Sequence, residues 1–102
     1  MPRIEKLDGS MMFECPGCGL WHTLNVERDG QPKWSFNGNT DKPTFKPSLR
    51  VRWTHGEKQE KRTCHSFITD GQIRFLKDCT HELAGQTVDM IEIEKEQENE
   101  NG

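Results

Sequence analysis

Cys64-His65-Ser66-Phe67-Ile68-Thr69-Asp70-Gly71-Gln72-Ile73-Arg74-Phe75-Leu76-Lys77 reads as two strands closed by a two-residue turn. Asp-Gly suits a type I′ turn, whose two central residues both need positive φ, and it joins Cys64-to-Thr69 with Gln72-to-Lys77. In that register Ile68 faces Ile73, Ser66 faces Phe75 and Cys64 faces Lys77. Side chains alternate along a strand, so Cys64, Ser66 and Ile68 share a face with Ile73, Phe75 and Lys77. If the second strand ran on, Cys79 would join that face and become a neighbour of Cys64. His65 falls on the opposite face with Phe67 and Leu76.

The same period of two recurs outward from this hairpin. Trp21, Thr23 and Asn25 alternate with His22, Leu24 and Val26, Lys33-Trp34-Ser35-Phe36 alternates, and Leu49, Val51 and Trp53 share one face. Asp8-Gly9, Asp29-Gly30 and Asn37-Gly38 mark further turns. One short helical turn is expected, capped by Asp78 or Thr80 and closed by Gly85, followed by a last strand from Thr87 to Ile93. The expected fold is mostly β: a small single-domain antiparallel β fold, residues 1–93, with a structural zinc site and one short helical turn. Residues 94–102 read as a disordered acidic tail.

The chain has 102 residues, of which 30% are hydrophobic, so its core is small and needs a staple. Four cysteines supply one, as disulfides or as metal ligands. The residues before Cys15 include Arg3, Glu5, Lys6, Asp8 and Glu14 and offer no apolar signal segment, which implies a reducing, cytoplasmic setting where thiols bind metal. No run approaches the roughly 20 apolar residues of a membrane span. The net charge is −3, and Glu92, Glu94, Glu96, Glu98 and Glu100 against Lys95 leave a nearly neutral body. Arg50, Arg52, Lys58, Lys61 and Arg62 form its basic cluster, interrupted by Glu57 and Glu60. A nucleic-acid binder would be plainly basic, so the expected partner is a protein, with neither nucleic acid nor membrane.

Cys15-Pro16-Gly17-Cys18 carries the strongest chemical signal. A C-x-x-C turn aims two sulfurs at one point, like the knuckle of a zinc ribbon, and zinc takes four such soft or borderline ligands. Cys64 completes three, and the fourth is either Cys79 or His81, with His22 a further candidate. A closed set of this kind is structural, so the cofactor expected is zinc.

Nucleophilic chemistry has weaker signals. Pro43-Thr44-Phe45-Lys46-Pro47-Ser48 is an extended segment that holds hydroxyls on a stiff loop. A serine nucleophile needs a base within hydrogen-bond reach, which makes Ser48, Ser66 and His65 the candidate catalytic residues, with His81 and His22 as other bases. No G-x-S-x-G elbow is present. Asp78 reads as a helix cap rather than an acid.

Phe13-Glu14-Cys15-Pro16-Gly17-Cys18-Gly19-Leu20-Trp21-His22, Trp34-Ser35-Phe36-Asn37-Gly38, Pro43-Thr44-Phe45-Lys46-Pro47-Ser48-Leu49, Cys64-His65-Ser66-Phe67 and Asp78-Cys79-Thr80-His81-Glu82-Leu83-Ala84-Gly85-Gln86-Thr87 follow one another along the chain. In this order they resemble a family of short phage and prophage proteins of unassigned function, often mislabelled ammonia monooxygenase. Oxygen chemistry on copper or di-iron would need open histidine or carboxylate sites, whereas the clustered ligands here are thiols. The sequence is also similar to a peptidase-like component of bacterial ubiquitin-like conjugation operons. That resemblance implies a role for His65, Ser66, Ser48 and His81 in cleaving a ubiquitin-like tail. Two functions are therefore expected in order: a zinc-stabilised protein-binding module of a phage or prophage, and, as the alternative, a serine-type peptidase using a Ser/His pair beside a structural zinc.

Overall fold

The structure is a computed structural model that describes residues 2–93. Among the described residues eight strands form two antiparallel sheets. The first has the order β1-β2-β3, from β1 (Glu5–Leu7), β2 (Ser10–Glu14) and β3 (Trp21–Asn25). The second runs β4-β5-β6-β7-β8, from β4 (Ser35–Phe36), β5 (Phe45–His55), β6 (Glu60–Thr69), β7 (Gln72–Phe75) and β8 (Thr87–Asp89).

The β6–β7 hairpin has the expected register, with Ile68 opposite Ile73 and Ser66 opposite Phe75. Asp70 and Gly71 have φ of 51° and 78°, the left-handed pair that a type I′ turn requires. Gly71 is also closely approached, since a Cβ there would sit 3.2 Å from the Lys42 backbone. Burial follows the parity: Cys64, Ser66, Ile68, Ile73 and Phe75 are buried, while Phe67 is exposed. These inward side chains meet Phe13, Cys15 and Leu24 of the first sheet and Phe45 and Leu49 of β5 in one core cluster. Each such large apolar side chain contributes about 1.5–3 kcal/mol on burial. The alternation in β3 holds from Trp21 to Leu24, with His22 and Leu24 buried and Trp21 and Thr23 exposed, and breaks at Asn25, which is buried as well.

The chain departs from expectation after Phe75. β7 ends there, so Cys64 and Lys77 do not pair and the strand does not carry Cys79 onto the Cys64 face. No helix forms among the described residues. Cys79 N–H instead bonds Leu76 C=O at 3.2 Å, Ala84 N–H bonds His81 C=O at 3.3 Å, and Gly85 N–H returns to Phe75 C=O at 3.0 Å. Successive tight turns tied back to the sheet replace a helix because this segment is docked along β6 rather than closed on itself. The last strand is shorter than the expected Thr87-to-Ile93 run, and the acidic tail lies outside the described residues. Among the described residues no helix is long and apolar enough to cross a membrane.

Candidate functional site

Strand β6 organises two clusters through one pair of neighbours, Cys64 and His65. Adjacent strand residues point to opposite faces. Cys64 therefore enters the core, and His65 emerges on the other side.

On the inner face, Cys15, Cys18, Cys64 and His81 hold their ligand atoms within 4.8 Å of one another. The knuckle brings the first two: Gly19 N–H closes on Cys15 C=O at 2.9 Å, and Cys18 N–H donates to Cys15 Sγ at 3.4 Å. Cys15 Sγ lies 3.8 Å from Cys64 Sγ, and Cys64 Sγ lies 3.6 Å from His81 Nε2. A tetrahedral ion with bonds of about 2.3 Å to sulfur and about 2.0 Å to nitrogen would set edges of about 3.8 Å between sulfurs and about 3.5 Å from sulfur to nitrogen. The donor set thus fits a metal ion of that kind. Gly17 shows how tightly His81 is admitted, since a Cβ at residue 17 would fall 2.3 Å from the imidazole. On its other side that ring meets Phe75 edge-on, with centroids 4.6 Å apart, so it has little room to retreat.

The thiols are mutually coupled. Hydrogen bonding from Cys64 draws the Cys15 thiol down to about 4, with His22 assisting. Burial first, then the charge on Cys15, pushes Cys18 up to about 12, and the bond to Cys15 pushes Cys64 up as well. One thiolate is thus already favoured, and a cation would supply the attraction that lets the others ionise.

Of the two candidates for the fourth ligand, His81 lies in this cluster and Cys79 lies outside it. Its buried sulfur accepts from His65 N–H and donates to His65 C=O, both at 3.2 Å. Cys79 therefore clamps the backbone of His65. His22 is buried beside Cys18, with Nε2 3.5 Å from that sulfur, but is not one of the four.

On the outer face, Ser48 Oγ lies 3.2 Å from His65 Nε2, and His65 Nδ1 lies 3.1 Å from Asp78 Oδ2. Ser48 lies within an irregularity in the β5–β6 pairing between Phe45 and Leu49, a place where a strand can re-aim a side chain. Its carbonyl accepts the Trp34 indole N–H at 3.2 Å, and Trp34 N–H bonds Asn25 C=O at 2.9 Å, so the first sheet braces the serine. Asp78 is brought in by the docked segment, in which Thr80 N–H bonds Thr63 C=O at 3.0 Å and Thr80 Oγ1 accepts Thr63 N–H at 3.0 Å.

Ser48 and His65 are thus brought together, whereas Ser66 is not. It lies buried on the inner face opposite Phe75, and among the described residues no histidine hydrogen-bonds it. The parity that separates His65 from Cys64 separates it from Ser66 too. Asp78 is the residue that the sequence reading missed. It is no helix cap, because no helix follows it, and its carboxylate faces His65. The short spacing Asp78-Cys79-Thr80-His81, set against Thr63-Cys64-His65, was the available signal.

A hydroxyl, an imidazole and a carboxylate in line form the arrangement that activates a serine nucleophile. The model of the bacterial ubiquitination-like system serine protease family, BubE, matches residues 2–76. The chain belongs to that family. The match takes in Ser48, His65, Cys15, Cys18 and Cys64 and ends just before Asp78 and His81. It bears out the expected relation to a peptidase-like component of bacterial ubiquitin-like systems. No curated protein and no solved structure matches the chain.

Proposed function

We propose that this BubE-family chain is a serine peptidase that cleaves the tail of a ubiquitin-like protein or a comparable peptide, with Ser48 as nucleophile, His65 as general base and Asp78 as its orienting acid. The observation that carries this reading is the continuous Ser48–His65–Asp78 hydrogen-bonded line, with separations of 3.2 and 3.1 Å. Asp78 accepts a hydrogen bond from His65 Nδ1–H, which leaves the Nε2 lone pair for the serine hydroxyl. Ser48 Oγ attacks the scissile carbonyl as its proton passes to Nε2, and the imidazolium is steadied by the carboxylate. That proton then leaves with the departing amine. Water hydrolyses the resulting acyl-serine with the same histidine as base, giving a carboxylate product and free Ser48.

Zinc is the ion proposed for Cys15, Cys18, Cys64 and His81, because three thiolates and one imidazole are a usual closed set for it. Its role is to hold the knuckle, β6 and the docked 76–85 segment together, and four protein ligands leave no position for substrate. The binding-module reading needs no such aligned hydroxyl, imidazole and carboxylate, and the family match favours the hydrolase.

The test is treatment with a fluorophosphonate probe together with hydrolysis of a ubiquitin-like protein extended by a short peptide. Ser48 should take the label, and Ser48→Ala should lower kcat by at least about 10³-fold. Cleavage by Ser48→Ala at the unaltered rate would refute the assignment.

A further inference from the structure

Arg50 and Arg52 of β5 are the part of the basic cluster that the proposed chemistry leaves unused. In the β5–β6 ladder Arg50 stands opposite His65, Arg52 opposite Thr63 and Thr54 opposite Lys61. Strand parity therefore puts Arg50, Arg52 and Lys61 on the face that carries Ser48 and His65. All three are exposed. Among the described residues no carboxylate pairs with any of them, whereas the neighbouring Arg62 is held by Glu60 at 2.6 Å. A cavity of about 450 Å³ opens beside them, lined by Arg52, Trp53, Thr54, Lys61, Arg62 and Thr63, with no acid in its wall. Asp78, the carboxylate on this face near Ser48, is engaged by His65.

The backbone beside these arginines is free as well. β4 pairs with β5 only at Phe45 and Lys46, so from Leu49 to His55 β5 is hydrogen-bonded to β6 on one side and, among the described residues, to no strand on the other. An extended peptide added along this edge would start at Ser48 and run past Arg50 and Arg52. Strand rise is about 3.3 Å per residue, which places the two guanidinium groups about two and four residues from the serine.

We infer that the edge of β5 with Arg50, Arg52 and Lys61 is a docking strip for an acidic extended peptide, reading carboxylates at alternate positions beginning two residues from the scissile bond. This deepens the peptidase reading by naming its substrate class, and peptide binding tests it without requiring turnover. Ser48→Ala protein is titrated with fluorescein-labelled extended peptides bearing Glu, Gln or Lys at alternate positions. The Glu peptide should bind at least ten-fold more tightly than the Gln peptide, and the advantage should shrink as salt is raised. Arg52→Glu and Arg50→Glu should each remove that advantage and favour the Lys peptide. Lys58→Glu, the same charge change in the β5–β6 turn, should leave the ranking intact.

Equal binding of the three peptides would overturn the inference, as would equal loss in Lys58→Glu, which would mark a net-charge effect. Fluorophosphonate labelling of the unaltered chain reports separately on Ser48. A labelled serine with charge-blind binding sinks only the docking strip, and charge-selective binding with an unreactive serine sinks only the peptidase reading.

Discussion

Cys64 and His65 are chain neighbours with opposite surroundings. Cys64 is buried among sulfurs from a different sheet, while the His65 side chain is 22% exposed and its partner Asp78 is 51% exposed. In the inner cluster Cys15 and Cys64 are buried and Cys18 and His81 half-buried, whereas the outer one opens to solvent beside a strand edge that β4 leaves unpaired past Lys46. The contrast separates the cluster proposed to hold the fold from the one proposed to react. Because one strand carries both, and residues 78–81 supply a partner to each, the inner cluster sets the position of the outer one.

That dependence makes its sharpest break at the metal ligands. Chelation, or Cys64→Ser, should abolish peptide cleavage and the cooperative melt together, since a structural ion can supply about 10–16 kcal/mol of apparent binding energy in small zinc domains. Far-UV circular dichroism and thermal melting before and after chelation check this. An unchanged melt after complete ion removal would show that the two faces are independent.

The reverse break is more selective. Asp78→Asn replaces the carboxylate by an amide whose NH2 can donate to His65 Nδ1 and favour the wrong tautomer, but it touches no core side chain. It should lower kcat by about 10²–10⁴-fold, less than a fully buried triad acid because Asp78 is half exposed. The melting temperature should hold within about 2 °C, because surface substitutions usually stay within ±0.5 kcal/mol. A large fall in melting temperature with kcat preserved would make Asp78 a structural residue.

Cys79 gives the smallest and most diagnostic effect. Cys79→Ala should keep the full complement of ion by metal analysis, whereas His81→Ala should lose it. The change removes two weak sulfur hydrogen bonds to His65 and should cost about 1 kcal/mol. Loss of the ion from Cys79→Ala would transfer the fourth ligand from the imidazole to the thiol.

The parts legible in the sequence are those set by local pattern. Alternation and the Asp70-Gly71 turn fixed the β6–β7 register, because a slip by one residue would have turned Ile68, Ile73 and Phe75 to water. The Cys15-Pro16-Gly17-Cys18 knuckle announced a metal site through its own turn geometry. Ser66 could have been set aside by the same parity argument, since it shares the Cys64 face rather than that of His65. Asp78 and His81 were not legible in this way, because residues 76–85 have neither strand nor helix periodicity to orient their side chains.

Only the tertiary structure sets His81 rather than Cys79 beside the three thiols and puts Asp78 against His65. The segment is aimed by bonds to residues far away in sequence, Thr80 to Thr63 and Cys79 to His65, and by the space that Gly17 leaves for the imidazole. The sequence by itself determined two strands, a turn and a pair of thiols, each a matter of near neighbours. Joining Ser48, His65 and Asp78 into one line needed the chain to fold back on itself twice, and no local rule sets the outcome of such long-range docking.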